Sequence, residues 1–257
     1  MIKSIVKPST KIHQFPKEDS PLETECMFGE QVNVTELNKE WGKCETLFDN
    51  YVGWIKLSDI NSSQQPTHRV IAPRSFIYAN ENVKSNVFHY IPMGSKLKII
   101  SANKEWSKTE IYKNKRYVKG FVPTNHIVPI KHIARDWVSI AESLVDTPYR
   151  WGGRDTIGID CSALIQLSLE TIGVNFPRNT NMQANYYPGL PMDYEKLNRG
   201  VLIFWEGHVG VMINDNQILH SNGFFMSTII EDLSKAEKRI SINHGNIQKL
   251  IDNFQII

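Results

Sequence analysis

The chain is poor in cysteine: Cys26, Cys44 and Cys161 are the only three in 257 residues, far apart and with no CxxC pair. An odd, unclustered count argues against a disulfide scaffold and for reduced thiols. Long apolar runs are missing too. No stretch approaches the ~18 apolar residues of a membrane span. The opening MIKSIVKPSTKIHQFPKEDSP lacks the apolar core and small-residue cleavage site of a secretory signal. The expectation is a cytoplasmic protein with no membrane contact. Charge of one sign is also lacking. The formal net charge is +2, too little for the basic field that nucleic acid would require. With 41% hydrophobic and 22% charged residues and no low-complexity tract, what remains is an ordinary globular chain, long enough for two or three domains.

An internal repeat fills the first half. GEQVNVTELNKEW (29–41) lies over GSKLKIISANKEW (94–106), and YVGWI (51–55) over YVKGFV (117–122) with one insertion. Short period-two alternations, Val32/Val34 and Leu97/Ile99, argue for half-buried strands in small antiparallel barrels. The polar stretch NSSQQPTHR (61–69) reads as the linker between the copies, and PTNHIVPIKH (123–132) ends the second. The boundaries expected are 1–62, 66–130 and 131–257.

The third segment has another character. Ile133, Trp137, Ile140, Ala141 and Leu144 share one helix face, which Pro148 closes. A Gly-rich loop, YRWGGRDTIGID (149–160), leads to a helix that begins near Cys161 and stops at Gly173. From Val201 onward the pattern is strands: VLIFW, HVGVMI, QILHS and MSTIIE. Helices followed by an antiparallel sheet make an α+β domain.

Cys161 is the candidate nucleophile. A thiol of ordinary pKa, ~8.5, is mostly protonated at neutral pH, and a helix N-terminus or a nearby cation lowers that value. Asp160 is a good N-cap, which would put Cys161 in the first helical turn among free N–H groups. A general base must come from elsewhere in the chain. Of eight histidines, only His208 and His220 lie in or beside apolar strand patterns. If Asn214, Asp215 and Asn216 form a three-residue hairpin loop, Ile213 faces Gln217 and His208 faces Asn222. His220 then falls diagonally beside His208 on the same face, roughly 7–8 Å away between Cα atoms. A loop one residue longer or shorter would separate them. The other six histidines read as solvated, and Cys26 and Cys44 as structural. Metal binding by Cys161 and the two histidines is the rival reading of the set, but it lacks local ligand spacing.

PYRWGG (148–153), DCSAL (160–164), GHVGVM (207–212) and ILHSN (218–222), in this order and spacing, resemble the NlpC-type bacterial cysteine peptidases, papain-like enzymes that cut peptidoglycan stem peptides. The duplicated segments resemble bacterial SH3-like domains. Two of them in front resemble the arrangement of γ-D-glutamyl-L-diamino acid endopeptidases that trim recycled wall peptides. The resemblance implies a papain-like α+β fold behind two SH3-like barrels. It implies Cys161 as nucleophile, His208 as general base, His220 as the residue orienting His208, and Tyr149 as an oxyanion stabiliser. Asp160 and Ser162 would contact substrate near its L-Ala amine and D-Glu carboxylate. Glu45, Asp49 and Tyr51 of the first barrel are further candidates for holding that amine. No metal or organic cofactor is implied. The partner is a peptide beginning L-Ala-γ-D-Glu-diamino acid; Lys or diaminopimelate as third residue, and the oligomeric state, stay open. PRNTNMQ (177–183) resembles the family's loop after the nucleophile helix and is given no role. Ala163 stands where the family usually has Gly, and Val201 where it often has Asp; neither removes a reacting group. An amidase or acyltransferase using the same dyad, and a non-catalytic wall-peptide binder, remain alternatives.

Overall fold

The computed structural model describes residues 1–189 and 197–252, so the expected limit of the third segment at residue 257 lies outside the described residues. The chain forms two compact units, Met1–His132 and Ile133–Ile257.

In the N-terminal unit, β1 (Ile2–Ile5), β2 (Ser9–His13), β3 (Leu22–Met27), β4 (Gln31–Asn38), β5 (Trp41–Thr46), β6 (Val52–Lys56) and β7 (Ile60–Ser62) form an antiparallel sheet in the order β3-β2-β6-β5-β4-β1-β7. The next eight strands are β8 (His68–Val70), β9 (Arg74–Tyr78), β10 (Val87–Pro92), β11 (Lys96–Leu97), β12 (Ile99–Ala102), β13 (Trp106–Lys113), β14 (Arg116–Pro123) and β15 (Ile127–Pro129). They repeat the pattern as β10-β9-β14-β13-β12 and β11-β8-β15. The counterpart of β4 is split, so β8 pairs with β11 and β15 just as β1 pairs with β4 and β7. Each NKEW ends on the tryptophan that opens the following strand, Trp41 or Trp106.

Each copy has its own apolar core. One gathers Ile5, Ile12, Val32, Ile55 and the thiols Cys26 and Cys44; the other gathers Val70, Ile77, Ile91, Ile111 and Val122. Both cores close in the same way. A Cβ on Gly53 would lie 2.3 Å from Ile12 Cγ2, and one on Gly120 would lie 2.5 Å from Ile77 Cγ2. The glycines occupy matching positions of the repeat and let the isoleucine of the neighbouring strand fill the space a side chain would take. The copies also touch: Phe28, just past β3, packs in the second core, and Lys96 N donates to Phe28 O at 2.7 Å.

The C-terminal unit carries α1 (Trp137–Glu142), β16 (Arg154–Asp155), β17 (Gly158–Ile159), α2 (Cys161–Glu170), α3 (Thr180–Ala184), β18 (Leu202–Trp205), β19 (His208–Met212), β20 (Gln217–Asn222), β21 (Ser227–Asp232), α4 (Leu233–His244) and β22 (Lys249–Ile251). Its antiparallel sheet runs β21-β20-β19-β18-β22. Helix α4 covers one face, with Leu233, Ala236 and Ile240 packed on Ile203, Trp205, Met212 and Ile218. Helix α2 also packs against β19 and β20, and every one of its residues is buried. Sandwiched strands are apolar along their length rather than alternating, which is how VLIFW and HVGVM read.

Three expectations need correction. Helix α1 is shorter than the apolar face suggested: Asp136 accepts from Val138 N at 2.9 Å and starts the helix there, leaving Ile133 41% exposed. Past Glu142 the backbone tightens into i→i+3 bonds and turns at Asp146, whose φ is +67°. The region after Val201 is not strands alone. Asp232 caps α4 by accepting from Ser234 N at 3.0 Å, and β22 then returns to pair with β18. Leu233, Ala236 and Ile240 at i, i+3 and i+7 carry the helix signal, diluted by the polar residues of LSKAEKRISINH. The segment after α2, expected as loop, contains the short helix α3.

The glycine contacts generate a prediction. Gly53→Ala and Gly120→Ala should each destabilise the N-terminal unit by about 1–3 kcal/mol through overpacking against isoleucine. The measurement is the urea midpoint of the intact chain followed by tryptophan fluorescence; unshifted midpoints would mean that the strands relax freely around an added methyl.

Candidate active site

The nucleophile end is built by a loop wrapped around one carboxylate. Asp160 has extended backbone and caps α2, its Oδ1 accepting from Ala163 N at 2.9 Å. The loop donates Gly152 N to Asp160 Oδ2 at 2.9 Å. A Cβ on Gly153 would come within 2.2 Å of Gly158 O, so the crossing of β16 and β17 requires glycine there. Arg178 completes the cage, donating to Asp160 Oδ1 at 2.9 Å and Oδ2 at 2.6 Å, a bidentate pair with both partners buried. Cys161 follows as the first residue of the helix.

The Cys161 thiol is 6% exposed. Its Sγ lies 3.7 Å from Thr180 Oγ1 and accepts from the backbone N–H of Val209, next to His208. Burial, and then the nearby Asp160 carboxylate, push its pKa up to about 11 against the smaller opposing pull of Thr180, Val209 and Arg178. This reverses the expectation of a lowered value, because removing a thiolate from water costs more than the first helical turn returns. Cys44, buried in the first core of the N-terminal unit, is pushed up to about 12 by burial.

The histidine end follows from strand register. Met212 pairs with Ile218, and Ile213 N donates to Gln217 O at 3.0 Å across the loop Asn214–Asn216. Asn214 Oδ1 holds that loop, accepting from Asn216 N and Gln217 N. His208 and His220 therefore share a face, with His208 Nε2 2.8 Å from His220 Nδ1. Between them lies Gly210, where a Cβ would sit 2.6 Å from Ile218 Cδ1 and 3.2 Å from His220 Cβ. Burial lowers the His208 pKa well below 6.5, with the neighbouring His220, His244 and Arg239 adding to it. The resting imidazole is neutral and its Nδ1 is left for another partner. On its far side His220 Nε2 meets Glu231 Oε1 at 2.8 Å, and Glu231 pairs with Arg239.

A cavity of 380 Å³ brings Cys161 and His208 together with Tyr149, Trp151, Phe224 and His244. Burial and the charges of Cys161 and Asp160 raise the Tyr149 pKa, so its phenol stays protonated and is a hydrogen-bond donor at neutral pH. Among the described residues no group of three or more His, Cys, Asp or Glu is placed to hold a metal ion. The cavity thus holds a thiol, a neutral imidazole with a backing partner, and a phenol donor. That set can carry acyl transfer through a covalent intermediate.

The remaining candidates are placed differently. Asp160 and Ser162 do not line the cavity. Asp160's charge is balanced by Arg178, and Ser162 Oγ bridges Asp160 Oδ1 and Arg178 at 3.1 and 2.9 Å. In the N-terminal unit, Glu45 lies on β5 opposite Val52, and Asp49 accepts from the hydroxyl of Thr46 in the turn before β6. Tyr51 donates to Glu23 Oε2 at 2.6 Å. Glu23, Thr180, Arg178, Glu231, Arg239 and His244 were not singled out by sequence. Thr180 and Arg178 lie within PRNTNMQ, a stretch given no role, and the last two belong to the unrecognised helix α4.

The neutral resting pair has a measurable consequence. The rate of Cys161 alkylation by iodoacetamide, followed by mass spectrometry of the labelled peptide, should keep rising with pH through pH 9, since the thiolate gains population all the way to about 11. A rate already level between pH 5 and 7 would show a preformed thiolate–imidazolium pair and contradict the burial account.

Residues 146–239 match the NlpC/P60 family, and residues 12–60 match the bacterial dipeptidyl-peptidase SH3 domain. Over 226 residues the chain is 26% identical to the gamma-D-glutamyl-L-lysine dipeptidyl-peptidase of Bacillus subtilis, covering 79% of this chain and 73% of that protein. It is 22% identical to dipeptidyl-peptidase 6 of Lysinibacillus sphaericus, covering 85% and 86%. Its fold is similar to that of an NlpC/P60 family protein from Bacillus cereus, with a TM-score of 0.84 at 18% identity over 99% of this chain and 100% of the other. With a thiol and an imidazole pair at one cavity, the C-terminal unit belongs to the NlpC/P60 family of cysteine peptidases, and a bacterial dipeptidyl-peptidase SH3 domain precedes it.

Proposed function

We propose that this peptidase hydrolyses the bond between γ-D-Glu and the L-diamino acid of peptidoglycan stem peptides, acting on recycled wall peptides that begin with free L-Ala. The observation that carries the chemistry is the His208–His220 hydrogen bond at the cavity that also holds Cys161. The relatives named dipeptidyl-peptidases support the bond and the free amine, since such an enzyme releases two residues from an unblocked N-terminus. The repeated strand pattern of the N-terminal unit is read as two SH3-like barrels.

In this reading Cys161 Sγ attacks the γ-carbonyl of D-Glu while its proton passes to His208 Nδ1. The developing oxyanion is stabilised by the Tyr149 hydroxyl and a backbone N–H at the start of α2. The imidazolium of His208 protonates the leaving amine of the diamino acid, the C–N bond breaks, and an S-acyl thioester remains. Water, losing a proton to neutral His208, attacks the thioester and releases L-Ala-γ-D-Glu, and Cys161 takes the proton back. Trp151, 71% exposed at the rim, offers a flat apolar surface to the peptide.

Incubation with L-Ala-γ-D-Glu-meso-diaminopimelate and mass spectrometry test the reading. Wild type should release L-Ala-γ-D-Glu. Cys161→Ala and His208→Ala should each lose at least about 1,000-fold in kcat while keeping the wild-type circular dichroism. An intact tripeptide with the wild type, or turnover by folded Cys161→Ala, would refute it. The amine requirement is tested separately: N-acetylation of the same tripeptide should cut kcat/KM by roughly 100-fold or more. Equal rates would remove free L-Ala from the specificity.

A further inference from the structure

We infer that Glu231 is a positioning residue of this site: it selects the His220 tautomer that leaves His208 able to act as a base. The inference rests on the proposed role of Cys161 and His208 and begins from a proton count across β19, β20 and β21. Only one hydrogen lies between His208 Nε2 and His220 Nδ1, 2.8 Å apart. If it belongs to His208, the Nδ1 of that ring has a free lone pair and can take the thiol proton. If it belongs to His220, neutral His208 carries its own hydrogen on Nδ1 and cannot. The thiol then has no acceptor.

The far nitrogen of His220 decides between these states, because a neutral imidazole protonated at Nδ1 is unprotonated at Nε2 and the reverse. Two groups compete for Nε2. Glu231 Oε1, at 2.8 Å, accepts and so favours the productive state. Asn222 Nδ2, at 3.2 Å, donates and so favours the dead one; its orientation is set by Phe225 N, which donates to Asn222 Oδ1 at 2.9 Å. A short bond to a carboxylate outweighs a longer one from a neutral amide. His220 is fully buried, so water does not stand in for either partner. Without Glu231, Asn222 alone would address Nε2 and the dead tautomer would prevail.

Sheet register and helix α4 supply the parts. His220 pairs with Ile229 across β20 and β21, which puts Glu231 on the diagonal of the same face. The step from His208 to His220 uses the same diagonal one strand earlier. Arg239, one turn before the end of α4, pairs with Glu231 and lies over the rings of Phe224 and Phe225 at 4.7 and 5.0 Å. The guanidinium holds the Glu231 carboxylate in place as an acceptor toward Nε2.

The test compares the wild-type chain with Glu231→Leu and Glu231→Gln. Imidazole nitrogen NMR should show His220 protonated at Nε2 in the wild type and predominantly at Nδ1 in Glu231→Leu. Cys161 alkylation by iodoacetamide at pH 8 and kcat for the tripeptide should both fall about 10- to 100-fold, with KM nearly unchanged. Glu231→Gln, whose side-chain oxygen can still accept, should recover part of both and guards against a folding defect in the leucine variant. A tautomer that does not change, or one that changes while alkylation is unaffected, overturns the inference. Failure of the substrate reading looks different: no tripeptide is cut by any form, yet the tautomer and the alkylation rate still follow Glu231.

Discussion

The site depends on the register of three neighbouring strands. A side chain on a strand faces one side or the other, so a single-residue slip between β19 and β20 would send His208 and His220 to opposite faces of the sheet. Asn214 prevents that slip, its carboxamide oxygen gathering the amides of Asn216 and Gln217 to close a three-residue loop. Gly210 makes the same register sterically possible, since any side chain there would press on Ile218 and His220. The hairpin between β18 and β19 sets the other end. Trp205 pairs with His208 around Gly207, whose φ of +69° is a turn conformation that glycine adopts without cost, and His208 opens β19 at the cavity.

Two carboxylate–arginine pairs, one buried and one half-buried, flank the thiol and the histidines from opposite ends. Asp160 and Arg178 brace the start of α2 behind Cys161, and Glu231 and Arg239 brace His220 behind His208. The first keeps a negative charge near the sulfur, which raises its pKa; the second leaves a positive guanidinium among the groups that lower that of His208. Both act with burial to keep the proton on sulfur at rest. In the proposed mechanism the consequence is a general-base site in which charge separates only as the carbon–sulfur bond forms, where Tyr149 and the helix-start amides can answer it.

The N-terminal unit shows how much a repeat carries when packing repeats with it. NKEW and the aligned glycines were visible in the sequence, and the strand pairing and the Gly–Ile contacts reproduce that alignment atom for atom at Gly53 and Gly120. Its residues of chemical interest were harder to read. Asp49 and Tyr51 were read alike as candidates for the substrate amine, yet one closes a turn and the other reaches Glu23 from 28 residues away. No local pattern in a barrel of short strands specifies such a partner.

By itself the sequence determined the features that are local or periodic. These are the N-cap at Asp160 and helix after it, the apolar strands of the sheet, the turn residues between β19 and β20, and thereby the pairing of His208 with His220. Tertiary structure decided what depends on the surroundings of a group rather than its neighbours in the chain. The direction of the Cys161 pKa is one case, because burial overrides the helix terminus. The partner of Asp160 is another, because Arg178 arrives from beyond α2. Glu231 and His244 joined the site only once β21 and α4 had packed, Glu231 across a diagonal no single strand displays and His244 from a helix whose apolar stripe is three residues wide.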